Sequence, residues 1–270
     1  MHESTAKNSR FHIDLNADLG EGSSNEEAIL ALVSSANIAC GGHTGDEHSM
    51  RIALGLSKHY GVTAGAHPSF PDRDNFGRKP MQISAKALFE SLSQQIQNLA
   101  AIADEVGIKL NHVKPHGALY NQAAYDPEYA KIMIELILGT GNIYHLFALA
   151  GSPLARGARA AGISVIEEAF ADRRYRHDAS LVPRDRPDAV IESIAEAVQQ
   201  SLDLIQTHRI QSVDQVELCM HAQTLCVHGD GAHALALIQQ LRNSMMQQQI
   251  QVLSYLTPPP TTTPIFTPAT

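Results

Sequence analysis

Seven short apolar runs, each closed by polar or glycine-rich residues, set the tightest limit on what this chain can become. They are FHIDLNADLG (11–20), SANIAC (35–40), VTAGAH (62–67), KLNHVKPH (109–116), NIYHLFAL (142–149), ISVIEEAF (163–170) and TLCVHGD (224–230). Stretches with a helical period lie between them. A parallel sheet needs a long crossover between neighbouring strands, so this alternation predicts βα units, and seven units predict a closed α/β barrel. The helical pattern is clearest at 84–106, where Leu88, Leu92, Ile96, Leu99 and Ile102 form an apolar stripe behind Ser84, a good N-cap. Further helices are expected at 187–207 behind Pro187 and at about 232–249. The segment VELCMHAQ (216–223) reads equally well as an extra strand beside the seventh run or as irregular chain.

With 270 residues, 44% of them hydrophobic, the chain can bury one substantial core, and residues 11–256 are read as a single barrel domain. The first ten residues are expected to fray. The tail from Thr257, TPPPTTTPIFTPAT, is expected to be extended and poorly ordered, since proline and threonine without a period build no core. A net charge of -8 argues against a nucleic-acid partner, which calls for clustered Lys and Arg. The opening residues lack the apolar stretch of a secretory signal, and no run reaches the roughly 18 apolar residues of a membrane span. A soluble, cytoplasmic chain with no membrane partner is therefore expected. Cys40, Cys219 and Cys226 are not spaced as a pair, which favours reduced thiols over a disulfide or a thiolate metal site.

The 14 histidines are the unusual part of the composition, and several fall in short polar clusters at the ends of the apolar runs. Alternate residues of a strand share a face, so Asp14, Asn16 and Asp18 point together while Leu15, Ala17 and Leu19 point away. His112, Lys114 and His116 form a second such row. Barrel interiors are ordinarily filled by branched apolar side chains, and a polar inner row costs free energy unless its groups bond one another or a ligand. Two such rows favour a site over a solvated face. The SANIAC run leads through Gly41 and Gly42 to His43, Asp46 and His48, and the next run ends at His67 before a loop carrying Arg73 and Arg78, either of which could clamp a carboxylate. Glu168, Asp172 and Arg173 follow the sixth run, and His228 and Asp230 share a face after the seventh. There is no G-x-x-x-x-G-K-[ST] loop, no G-x-S-x-G elbow and no H-E-x-x-H pair, which argues against Walker-type ATP binding, a serine nucleophile and a zincin.

In order, DLNADLGE, SANIACGGHTGD, GAHPSFPDRDNFGR, VKPHGALYN, EAFADRRY and LCVHGD resemble the motifs of the LamB/YcsF family, the A subunits of prokaryotic 5-oxoprolinase, over roughly residues 12–231. The resemblance implies a TIM-like barrel related to the polysaccharide deacetylases. It also implies ATP-dependent opening of the lactam 5-oxo-L-proline to L-glutamate with partner subunits B and C, ATP being bound by the partners. One departure is Gly42, which stands where the family usually carries an aromatic residue beside the histidine.

On this reading Asp14 or Asp18 serves as general base, Lys114 contacts the oxyanion, and His43, His67 and His116 move protons and orient the leaving nitrogen. Asn16, Asp46, Arg73, Arg78, His228 and Asp230 would bind substrate. Replacing Lys114 with Met would then stop turnover without touching the fold. An Asp with two His is also a workable set for a catalytic divalent metal, so a metal-dependent deacetylase or amidohydrolase is a second reading, and a non-catalytic lactam-binding subunit a third.

Overall fold

The computed structural model describes residues 11–141, 144–228 and 233–256. The expectations for the first ten residues and for the Pro/Thr tail lie outside these residues. Seven parallel strands close on themselves: β1 (Phe11–Leu19), β2 (Ser35–Ala39), β3 (Thr63–His67), β4 (Leu110–Val113), β5 (His145–Leu149), β6 (Val165–Phe170) and, after two further strands in the chain, β9 (Thr224–Val227), which pairs with both β6 and β1. The seven-stranded barrel expected from the apolar runs is thus the observed architecture.

The strand rows divide as the period-2 pattern requires. Leu15, Ala17 and Leu19 of β1, Ile38 of β2, Val113 of β4 and Leu225 of β9 are buried against the surrounding helices. Those helices are α1 (Glu26–Leu30), α2 (Glu47–Tyr60), α3 (Ala85–Val106), α4 (Gly117–Tyr125), α5 (Pro127–Gly139), α6 (Pro153–Ala160), α7 (Ile194–Thr207) and α8 (Ala234–Gln247). α3 starts where the sequence indicates, with the Ser84 hydroxyl accepting from Ala87 N–H. α7 begins later than the predicted 187, because the chain after β6 first makes an excursion with bridges Arg173↔Val190 and Tyr175↔Leu181, and Ser193 rather than Pro187 supplies the cap.

Two small additions lie outside the barrel. β8 (Glu217–Cys219), the undecided segment, pairs antiparallel with β7 (Arg209–Gln211) and not with the seventh run. β10 (Ile250–Val252) runs parallel to the first three residues of β1. No described helix is long and apolar enough to cross a membrane.

Inside the barrel the filling is polar. Asp14, Ser35, Thr63 and Thr224 are buried near the N-terminal ends of the strands, Asn16, Asn37 and His112 in the middle, and Asp18, His67 and Lys114 near the C-terminal ends. His112 fits there because residue 65 is glycine: a Cβ at Gly65 would lie 2.3 Å from the His112 ring. That ring stacks on Phe147 at 4.0 Å between centroids.

Candidate active site

Lys114 lies at the centre of the polar interior, 2% exposed. Its ammonium is 2.9 Å from Asp18 Oδ1, 3.0 Å from Glu168 Oε1, 3.3 Å from Asn16 Oδ1 and 3.1 Å from Cys226 Sγ. Burial alone would favour the neutral amine, yet Asp18, Cys226 and Glu168 hold Lys114 well above the usual lysine range. Three N–H donors against four partners leave none for a substrate. In this arrangement Lys114 holds Asp18 and Glu168 and has no N–H directed at an oxyanion. Asn16 and Asn37 carry the network across the sheet. Asn16 donates to Glu168 and Thr224, Asn37 donates to Asn16 and Asp18, and His112 Nε2 meets Asn37 Oδ1 at 2.7 Å.

Asp14 and Asp18 share a face but stand four residues apart, about 13 Å along an extended strand. Asp14 lies at the floor, where Ser34, Ser35 and Thr224 donate to it, and burial pushes its carboxyl up to about 6. Such a value would suit a base, but no group of the mouth is among its partners, and geometry takes precedence in assigning the role. Asp18 ends the row at the mouth. Burial would raise its carboxyl, but the Lys114 ammonium beside it holds it well below the usual range.

At that mouth His43, His67 and His116 converge from the loops or ends of three successive strands. His67 Nδ1 is 2.8 Å from the Lys114 carbonyl and His116 Nε2 is 2.9 Å from the Phe76 carbonyl, so each of these nitrogens carries the proton of its ring. The other nitrogens, His67 Nε2 and His116 Nδ1, face each other at 2.9 Å, and His67 Nε2 is 3.4 Å from Asp18 Oδ2. His43 stacks on His116 at 3.7 Å between centroids. Glu21 closes the group, 3.0 Å from His43 Nε2 and 3.6 Å from His116 Nδ1. Burial pushes His43 down to about 2, with His67 adding to the effect, and burial likewise holds His116 well below the usual histidine range. Glu21, His43, His67 and His116 each offer one ligand atom within 4.8 Å of all the others, and these four could hold a metal ion.

The remaining expected residues lie elsewhere. Asp46 is the N-cap of α2, exposed, in a reciprocal capping box with Ser49; it starts a helix and does not face the cavity. Arg73 donates to the carbonyls of Gly41 and Gly45, pinning the loop that presents His43, and Arg78 lies over the Phe76 ring at 4.9 Å. His228 pairs through Nδ1 with both Asp172 oxygens at 2.9 Å and stacks on Phe170, whose ring is also 5.3 Å from the Lys114 ammonium. On that flank a cavity of about 370 Å³ is lined by Asp172, His228, His233 and Glu192, with Ile191 and Leu237 among its apolar walls. Asp230 lies outside the described residues.

Glu21 is the residue that period-2 reasoning misses, since it follows the strand beyond Gly20, which turns the chain with φ +74°. Its signal was its place at the end of DLNADLGE.

Comparison with known proteins bears on the fold and the family. Among solved structures, a lactam utilization protein from Thermus thermophilus is 35% identical, superposes with a TM-score of 0.84, and covers 90% of this chain and 100% of its own. A putative cellobiose-phosphate cleavage protein from Enterococcus faecalis shares the fold alone, with 10% identity, a TM-score of 0.56 and coverage of 91% and 97%. The LamB/YcsF family pattern matches residues 13–258, nearly the whole described barrel, and the chain therefore belongs to the LamB/YcsF family.

Proposed function

We propose that this chain is the ring-opening A subunit of an ATP-dependent 5-oxoprolinase, hydrolysing 5-oxo-L-proline to L-glutamate with partner subunits B and C that bind the nucleotide. Membership of the family and the likeness to a lactam utilization protein support a lactam as substrate. The observation that carries the ATP requirement is the pairing of Asp18 with the buried Lys114 ammonium at 2.9 Å. A carboxylate held ionised in this way orients a water molecule well but is a weak base, and a lactam carbonyl is a weak electrophile. The two suit each other only once the lactam has been activated. Phosphorylation of its oxygen by the partners supplies that activation and leaves this subunit the hydrolytic half.

In that half, Asp18 accepts a proton from the attacking water as the C–O bond forms. The proton then passes to the ring nitrogen as the C–N bond breaks, which leaves a glutamyl phosphate, and a second water cleaves that mixed anhydride to glutamate and inorganic phosphate. Lys114 holds the carboxylate at the mouth, while Glu21, His43, His67 and His116 wall the reacting carbonyl. Hydrolysis of an ordinary amide without nucleotide is the rival reading, and a lactam-binding subunit without turnover is the third.

One assay separates the three: the full chain is mixed with candidate B and C subunits and 5-oxoproline, and glutamate is followed with and without ATP. Glutamate formed only with both partners and ATP, and lost in Asp18→Asn, is the expected result. Turnover by this chain alone, or binding without turnover in the complete mixture, overturns the proposal.

A further inference from the structure

We infer that Glu21, His43, His67 and His116 form a site for one divalent transition-metal ion, of the zinc class, at the mouth of the barrel. The placement of protons leads to it. His67 Nδ1 and His116 Nε2 each face a backbone carbonyl, at 2.8 Å and 2.9 Å, and a carbonyl only accepts; both rings therefore present bare lone pairs on their other nitrogens. Those lone pairs meet at 2.9 Å, inside a cluster where Glu21 and Asp18 bring further acceptors. Two acceptors facing each other in a buried site repel unless a positive centre joins them. A metal ion is such a centre.

The spacing fits. Zinc–nitrogen bonds of about 2.0–2.1 Å in a tetrahedron put neighbouring ligand atoms about 3.3 Å apart. The pairs here lie at 2.9 Å for His67 with His116, 3.0 Å for His43 with Glu21 and 3.6 Å for His116 with Glu21. Three imidazoles with one carboxylate suit zinc, cobalt or nickel better than magnesium or calcium, which prefer all-oxygen shells. The carbonyls behind His67 and His116 also provide the outer contacts that fix a ligating ring's tautomer and aim.

The surroundings are shaped to bring the four together. At Gly77, with φ +61°, an added Cβ would lie 2.9 Å from His43 Cβ and 3.1 Å from His116 Cδ2, so only glycine lets this loop close over the two rings. Arg73 ties the His43 loop to the same segment through Gly41 and Gly45. His43 and His116 lie nearly parallel, 3° between ring planes, and two parallel rings cannot both aim in-plane at one ion. Seating the metal thus tilts one ring out of the stack.

The metal site shares the cavity of the lactam reading but stands on ligand geometry alone, so metal content and glutamate formation are scored separately. The full chain is stripped with a chelator, dialysed against Zn²⁺ or Co²⁺, and assayed for bound metal and for the visible absorption of Co²⁺. One ion per chain with a tetrahedral Co²⁺ spectrum is expected. His116→Asn and Glu21→Gln should each weaken binding by more than about 100-fold while circular dichroism stays native. Asp172→Asn, which alters the separate His228 pair, should leave the stoichiometry at one. Less than stoichiometric metal at millimolar supply, or unchanged affinity in both ligand variants, overturns the site. If both ligand variants unfold, His43→Ala, which removes a ring from the loop and not from a strand, decides in the same way. Metal bound without turnover would leave this inference standing and sink the lactam reading; glutamate formed by a chain that takes up less than stoichiometric metal would do the reverse.

Discussion

Replacing Lys114 with Met tests whether this side chain meets substrate or holds the interior. The ammonium lies within about 3 Å of two buried carboxylates, Asp18 and Glu168. At an effective dielectric near 20, each contact is worth about 5 kcal/mol in gross Coulomb energy, and desolvation of the ammonium offsets much of it. The net is best taken from buried pairs that have lost one partner, where the uncompensated charge costs about 3–5 kcal/mol. For a chain of this size that corresponds to a fall in Tm of roughly 6–20 °C. Urea unfolding followed by circular dichroism gives the number directly.

The diagnostic step is to add Glu168→Gln to Lys114→Met. If the loss comes from stranded charge, removing one carboxylate recovers at least about 1 kcal/mol, because Asp18 still accepts from the Asn37 amide at 2.8 Å. A Lys114→Met variant within about 0.5 kcal/mol of the parent, or a double variant weaker than the single one, refutes the reasoning. It would also restore the expectation, drawn from the sequence, that this replacement stops turnover and leaves the fold untouched.

Three further outcomes are expected. Asp14 titrates at about 6 when folded against an ordinary 3.8, so between those values the folded chain keeps a proton that the unfolded chain releases. Stability is then full below about 3.8 and falls as pH rises through about 6, by on the order of 3 kcal/mol, and Asp14→Asn should remove that slope from urea melts; an unchanged slope rejects it. Gly65→Ala drives a methyl to within 2.3 Å of the His112 ring and should cost about 1–3 kcal/mol by overpacking, read as a lower Tm; a neutral effect would mean that His112 moves freely. Asp46→Ala should cost about 1 kcal/mol as a lost helix cap with glutamate formation unchanged once the protein is folded, whereas lost turnover at full stability would return Asp46 to the site.

What the sequence made legible follows the range of the interactions. Alternation along β1 and β4 reports which residues share a face, and Asp14, Asn16, Asp18, His112 and Lys114 do point inward together. Alternation is blind to which end of the strand matters, which is why Asp14 and Asp18 stood as equals; the rule that barrel sites form at the C-terminal ends of strands separates them. Asp46 was also readable, since Asp-Glu-His-Ser before a helix is a capping pattern. The partners of the inward row were not readable. Asn16 meets Glu168 and Thr224 across 152 and 208 residues, and only the register of closed strands brings them together. Glu21 escaped for the opposite reason, because it is local but lies past a glycine turn where no period applies.

The polar interior also bears on how the site handles charge. Asp18 belongs to two groups at once: below it, Lys114 and Asn37 donate to one carboxylate oxygen, and above it His67 reaches the other. Stabilising the anion from below fixes its position but removes most of its power to take a proton. Hydrolysis at such a carboxylate needs help from another quarter, either a carbonyl made more electrophilic or a water made more acidic. On the proposed reading, partner-driven phosphorylation of the lactam would supply the first. A metal ion, if held by Glu21 and the three histidines, would supply the second by lowering the pKa of a water. The two are separable by experiment because they act on different reactants. Removing ATP should abolish glutamate formation whether or not metal is present, and removing metal should lower the hydrolysis of already activated lactam without changing nucleotide consumption by the partners. If metal removal instead halted ATP consumption while an activated lactam was still opened at full rate, the ion would belong to the partners' half-reaction, and the weak base at Asp18 would have to work on the activated ring alone.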